Sequence, residues 1–215
     1  NDVVMLNTGR MKVLSGGING VSLHVSGAFR NHTAGTDSVK IVQNGISEIG
    51  GSFYQDALTN VFDVSPSTTK TLSAGTVRFV KDYGAAGNRF ITTQLSSVTD
   101  FDRGAHYVAF PNIEISTDDS IVLPGKMGID AFTVKRINSK KGSLVLRSEL
   151  TGNNDYDASL RITGSGQSAA LVDAGAVVVE REMSLYRSKN PGLFGFATPF
   201  NGTQMSGYYA GNWVR

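Results

Sequence analysis

Apolar side chains in this chain recur at every second position, in short bursts closed off by Gly, Asn, Asp or Ser. Val21, Leu23 and Val25 set the pattern. Met11 and Val13, Val39 and Ile41, Ile113 and Ile115, Ile121 and Leu123, Phe132 and Val134, and Leu144 and Leu146 repeat it. Such alternation puts one face of an extended segment in a core and the other in solvent, and the closing residues are turn formers. No stretch of about twelve residues keeps a 3.6-residue period. With Gly at 25 of 215 positions, each interior Gly would also weaken a helix by up to about 1 kcal/mol relative to Ala. The expectation is an all-β chain with almost no α-helix.

One internal repeat fixes a spacing. Val25-Ser26-Gly27-Ala28-Phe29-Arg30-Asn31 aligns with Ile49-Gly50-Gly51-Ser52-Phe53-Tyr54-Gln55 at an offset of 24 residues, and Phe79 follows Phe53 by 26. A period in the twenties is the spacing of solenoid coils, each of which buries its inner face on its neighbours. The fold expected is therefore a parallel β-helix or β-solenoid, with Phe29, Phe53 and Phe79 stacked in successive coils. An antiparallel β-sandwich, which the same alternation permits, is the alternative.

Composition narrows the function classes. Hydrophobic residues make up 40% and charged residues 18%, the balance of a folded chain rather than a disordered one. A net charge of +2 gives no basic face for nucleic acid, and Lys140-Lys141, the longest purely basic run, reads as a solvated turn. The absence of Cys removes thiolate metal sites, thiol nucleophiles and disulfides. No run of about 18 apolar residues is present to span a membrane as a helix. Asn1 opens directly into a first strand at Val3–Leu6 and the chain stops at Trp213-Val214-Arg215, so both ends read as cuts within a longer polypeptide.

No set of residues with a recognisable catalytic arrangement emerges. His24, His32 and His106 stand apart from one another and from carboxylate clusters, and His24 lies on the outward face of its strand. Asn153, Asp155 and Asp157 have the spacing of the first ligands of a calcium loop, but Ala158 takes the place of the turn Gly and Gly164 that of the bidentate Glu. Two carboxylate pairs raise the question of glycoside cleavage. Asp100 and Asp102 would lie on one face of a strand about 7 Å apart, within the range of inverting enzymes, whereas Asp118-Asp119 reads as a turn. Neither pair has flanking cations. Ser165, in Gly164-Ser165-Gly166, has no His near it in sequence. No catalytic residue, metal ligand or cofactor is assigned. Tyr208, Tyr209 and Trp213 form a terminal aromatic cluster that would either stack on sugar rings or, as the better reading, pack on a neighbouring module.

Several segments resemble the secreted and cell-surface repeat proteins of Bacteroidetes, adhesin-like and associated with type IX secretion. They are Leu72-Ser73-Ala74-Gly75-Thr76-Val77-Arg78-Phe79, Tyr107 to Ile115, Gly142-Ser143-Leu144-Val145-Leu146, Ala158-Ser159-Leu160, Val177-Val178-Val179-Glu180-Arg181 and Gly195 to Phe200. The resemblance covers about half of the residues. It implies a β-solenoid over 1–182 and a distinct carboxyl-terminal capping segment or following module over 183–215. It also implies a place on the extracellular side of the outer membrane. Asp37-Ser38-Val39 and Asp119-Ser120-Ile121 resemble O-glycan acceptor sites of the same group, which makes Ser38 and Ser120 candidate acceptors. The function expected is a non-enzymatic structural or adhesive module of a larger secreted protein. Its partners would be neighbouring modules of the same polypeptide, surface glycans or host cell-surface proteins. The alternatives are a polysaccharide-active β-helix enzyme and a carbohydrate-binding β-sandwich.

Overall fold

The computed structural model describes residues 2–6, 11–13, 21–32, 41–43, 45–55, 75–81, 89–92, 107–125, 127–151, 154–163 and 171–180. Within them run nineteen strands, numbered β1 to β19 in chain order, and almost no helix. A seven-stranded sheet takes β1 (Val3–Leu6), β4 (Phe29–His32), β7 (Phe53–Gln55), β9 (Arg89–Thr92), β12 (Ile121–Leu123), β15 (Leu144–Leu146) and β19 (Val177–Val179), in that order. A five-stranded sheet takes β14 (Thr133–Arg136), β11 (Asn112–Ser116), β8 (Thr76–Val80), β6 (Ile46–Ile49) and β3 (Val21–Val25). A third takes β10 (Tyr107–Ala109), β13 (Gly128–Ala131) and β18 (Ser159–Ile162). Two further pairs are β2 (Met11–Val13) with β5 (Ile41–Gln43), and β16 (Ser148–Thr151) with β17 (Asn154–Asp157). Among the described strands only β16 and β17 pair antiparallel.

This corrects both fold expectations. The described strands form three parallel sheets that are not closed on one another, so the expected parallel β-helix or β-solenoid with its capping segment is replaced by a coarser architecture of open parallel sheets. The parallel pairing equally overturns the antiparallel sandwich. The physical reason is that period-two alternation reports which face of a strand is buried and nothing about how sheets join. The sheets differ in strand number, and the antiparallel hairpin interrupts the parallel run. The cap expected over 183–215 lies outside the described residues. By backbone contacts the chain divides into Asn1–Met183 and Ser184–Arg215.

The 24-residue repeat is present as a register. Val25 pairs with Ile49 and Phe29 with Phe53. The Phe29 and Phe53 rings stack at 5.5 Å between centroids with their planes 3° apart. Phe79 does not continue the stack. It lies in the five-stranded sheet beside Ile49 and Ile115, and the next neighbour of Phe53 along the seven-stranded sheet is Ile91. Phe110 supplies the second aromatic contact instead, edge-on to Phe53 at 5.2 Å.

Inward residues of the three sheets share one core. It holds Val25, Phe29, Ile49, Phe53, Val77, Phe79, Ile91, Ile113, Ile115, Ile121, Leu123, Ile129, Val134, Leu144 and Leu146. Burying each such side chain contributes about 1.5–3 kcal/mol. Strands β6 and β8 bury alternate residues only. Strands β12 and β15 are buried along their whole length, Val122 and Val145 included, although these two lie outside the core cluster. Strands of parallel sheets covered on both faces read as unbroken apolar runs, as Ile121-Val122-Leu123 and Leu144-Val145-Leu146 do.

The corner between β6 and β7 shows why the repeat carries Gly. A Cβ on Gly50 would stand 2.4 Å from the Ser26 carbonyl oxygen. The Gly50 amide donates to the Val25 carbonyl at 2.7 Å and the Gly51 amide to that of Gly27 at 2.8 Å. Backbones this close leave no room for a side chain.

Candidate functional site

Two constructions of polar side chains stand out on this frame. The first is a row across the outward face of the five-stranded sheet. Register places His24 beside Glu48, Glu48 beside Arg78, Arg78 beside Glu114 and Glu114 beside Lys135. Each residue precedes or follows an inward apolar one, so the pleat turns it outward. From Glu48 to Lys135 the signs alternate, with His24 at the head of the row, and bonds follow. His24 Nδ1 lies 3.0 Å from Glu48 Oε2. Arg78 Nη1 donates to Glu48 Oε1 at 3.1 Å, and Arg78 Nε to Glu114 Oε2 at 2.8 Å. Burial opposes the charge on Arg78, but Glu114 and then Glu48 outweigh it and hold the guanidinium above its ordinary value.

The second construction is the turn Thr117-Asp118-Asp119-Ser120 between β11 and β12. Asp118 accepts from the Lys141 amide at 3.0 Å and from Lys140 Nζ at 3.1 Å. These two bonds, the backbone one first, lower its pKa from the ordinary carboxylate value. Asp119 Oδ2 pairs with Arg89 Nη1 at 3.1 Å. The buried Thr117 hydroxyl accepts from Arg89 Nη1 at 3.2 Å and from the Asp119 amide at 3.2 Å. Arg89, 4% exposed at its side chain, also donates through Nε to the Gly50 carbonyl.

The carboxylates of this turn are thus held by cations and amides, an arrangement suited to fixing a turn rather than to moving a proton. Because the folded pKa of Asp118 is depressed, its contribution to stability is present above the unfolded carboxylate pKa. It is lost as pH falls through the folded one. Amide hydrogen exchange at Lys141 is therefore expected to quicken, relative to its neighbours, as pH drops below the ordinary carboxylate range. In Asp118→Asn this extra dependence is expected to be absent, and an unchanged profile in that variant counts against the assignment.

The other residues singled out in the sequence divide into two groups. His24 is outward and half exposed, as expected, but it is engaged in the charged row. Asp155 and Asp157 lie in strand β17, with Asp155 opposite Leu150 and Asp157 opposite Ser148. Asn154 to Asp157 form a strand rather than the curved loop a calcium site of that spacing requires. Among the described residues no group of three His, Asp or Glu gathers to hold a metal ion. Ser120 is half-buried, with its carbonyl accepting from the Arg89 amide at 3.1 Å. Ser38, Asp100, Asp102, His106, Asn153, Ser165, Tyr208, Tyr209 and Trp213 lie outside the described residues.

Sequence reading missed Glu48, Arg78, Glu114 and Arg89. A signal for the first three existed. His24-Val25, Glu48-Ile49, Arg78-Phe79 and Glu114-Ile115 each set a polar residue just before an inward apolar one. Aligning the bursts on their apolar members would have lined up the charges.

Comparison with protein-family models, with curated proteins and with solved structures finds no match.

Proposed function

We propose that this chain is a non-enzymatic structural or adhesive module of a larger secreted or cell-surface protein. One observation carries the reading. Six Arg or Lys ion pairs and the His24–Glu48 bond, among the described residues, join neighbouring strands or the turns between them, at sequence separations of 22 to 36. Charge is spent on holding strand to strand. The aspartates of the 117–120 turn, which sequence offered as an acid pair, belong to this system. The resemblance to Bacteroidetes surface proteins supports a place on the extracellular side of the outer membrane. Adjacent modules and surface glycans are the partners in keeping with it. Among the described residues no helix is long and apolar enough to cross a membrane.

The purified chain, incubated with a panel of plant, bacterial and host polysaccharides, is expected to release no reducing ends. Turnover that disappears in Asp100→Asn or Asp118→Asn would replace this reading with a polysaccharide-cleaving one.

A further inference from the structure

We infer that Arg89 is the register lock of β9, a device that decides which residues of this strand face the core. Register in a sheet is ordinarily set by turn length and by the apolar pattern. Both are weak here. The connection into β9, residues 81–88, is much longer than the equivalent corners 26–28, 50–52 and 117–120 and one residue longer than the corner 137–143. The strand itself reads Arg89-Phe90-Ile91-Thr92, with one large apolar residue for each face. A slip of one residue would turn Phe90 inward in place of Ile91 and still bury an apolar side chain.

Arg89 occupies an inward row otherwise filled by Ile121, Leu144 and Val177. A buried guanidinium there is a cost that an apolar residue of similar length would avoid. The cost is not fully offset, since Nη2 is buried and finds no hydrogen-bond partner among the described residues. What Arg89 does have is a set of contacts that only one register satisfies. Nε reaches the Gly50 carbonyl at the corner before β7. Nη1 reaches Thr117 and Asp119 at the corner before β12. The guanidinium therefore gauges the position of β9 against both of its sheet neighbours at once. Moving the strand by one residue, about 3.3 Å, breaks all three contacts. Buried polar groups that fix register at the expense of stability are the best attested use of such pairs.

The absence of Cys allows a direct test by cross-linking. Tyr54 pairs with Thr92 in the observed register, so a Tyr54→Cys, Thr92→Cys protein is expected to oxidise to an intramolecular disulfide. A Tyr54→Cys, Ile91→Cys protein is not, because Ile91 pairs with Phe53 and adjacent residues of a strand project to opposite faces, so the sulfurs cannot meet unless the strand slips. Adding Arg89→Met to each is expected to leave a folded protein in which the two disulfides form in comparable yield. Asp119→Asn, which keeps the arginine and weakens its anchor, is expected to give an intermediate off-register yield. If Arg89→Met proteins still cross-link only through position 92, the lock is refuted. If Arg89→Met unfolds while Asp119→Asn shows no off-register product, Arg89 serves stability and not register, which refutes it equally.

Discussion

Replacing Phe53 by alanine is expected to cost about 3–5 kcal/mol of unfolding free energy, the range for a fully buried aromatic. The ring is wholly inaccessible to solvent. It has Phe29 stacked at 5.5 Å and Phe110 edge-on at 5.2 Å. Aromatic pairs in these geometries contribute beyond the area they bury, by about 0.5–1.5 kcal/mol each. The cavity left by Ala would be lined by the Phe29 ring, held in strand β4, and by the Phe110 ring, between β10 and β11, and neither can collapse inward without straining the backbone bonds from Phe29 to Ser52 and from Phe110 to Asp130. Phe53→Leu should recover a good part of the loss, because it restores volume without restoring the ring contacts. Urea unfolding followed by circular dichroism reads both variants. A loss below about 1 kcal/mol for Phe53→Ala would mean that the Phe29–Phe53–Phe110 cluster is not the centre of the core.

Gly142→Ala is expected to be nearly as damaging, for an unrelated reason. A Cβ there would lie 2.4 Å from the Thr117 carbonyl oxygen and 2.4 Å from that of Asp119. Both are backbone atoms of the turn that Arg89 and the Lys140–Lys141 segment hold in place, so neither can swing aside as a side chain would. The Gly142 amide donates to Thr117 O at 3.0 Å, which keeps the two segments at this distance. Separating them also loosens the Asp118–Lys141 bond. Forced overpacking of this kind typically costs about 1–3 kcal/mol, and two opposing backbone contacts place Gly142→Ala at the upper end. The drop should appear in thermal unfolding and be accompanied by faster amide exchange at Lys141 and Leu144. Wild-type stability in Gly142→Ala would show that the two corners are not in contact.

Much of the strand content was legible in the sequence because alternation is a local property. Val21–Val25, Ile113 and Ile115, and Leu144 and Leu146 each announce a strand with an inner and an outer face. The pairing of the Val25–Asn31 and Ile49–Gln55 segments was legible as well, since Gly and Phe recur there at a constant offset. What failed was extrapolation. Phe79 lies at nearly the same spacing and joins another sheet, because the offset counts residues and cannot tell a strand from the corner beside it. The two-face burial of Val122 and Val145 was hidden for a similar reason, as alternation rules presume one wet face. The charged row was invisible residue by residue. His24, Glu48, Arg78 and Glu114 are each ordinary surface residues until register sets them side by side. Arg89 gave no sign at all, because nothing in a sequence marks an arginine that stands in an inward row.

The alternation of sign along that row has a bearing on how a protein of this kind can change length. Among the described residues Glu48 bonds to its flankers His24 and Arg78, and Arg78 to its flankers Glu48 and Glu114. Take out the strand carrying Glu48 and His24 meets Arg78. Take out the strand carrying Arg78 and Glu48 meets Glu114, and like charges directly opposite one another are destabilising. Excising Glu48 and Arg78 together instead brings His24 against Glu114 and restores attraction. The row therefore obeys a parity rule. Duplication or deletion of strands in even numbers preserves the electrostatic stitching, whereas odd steps need a compensating charge reversal. Growth and shrinkage of this sheet in evolution, or in an engineer's hands, should proceed two strands at a time.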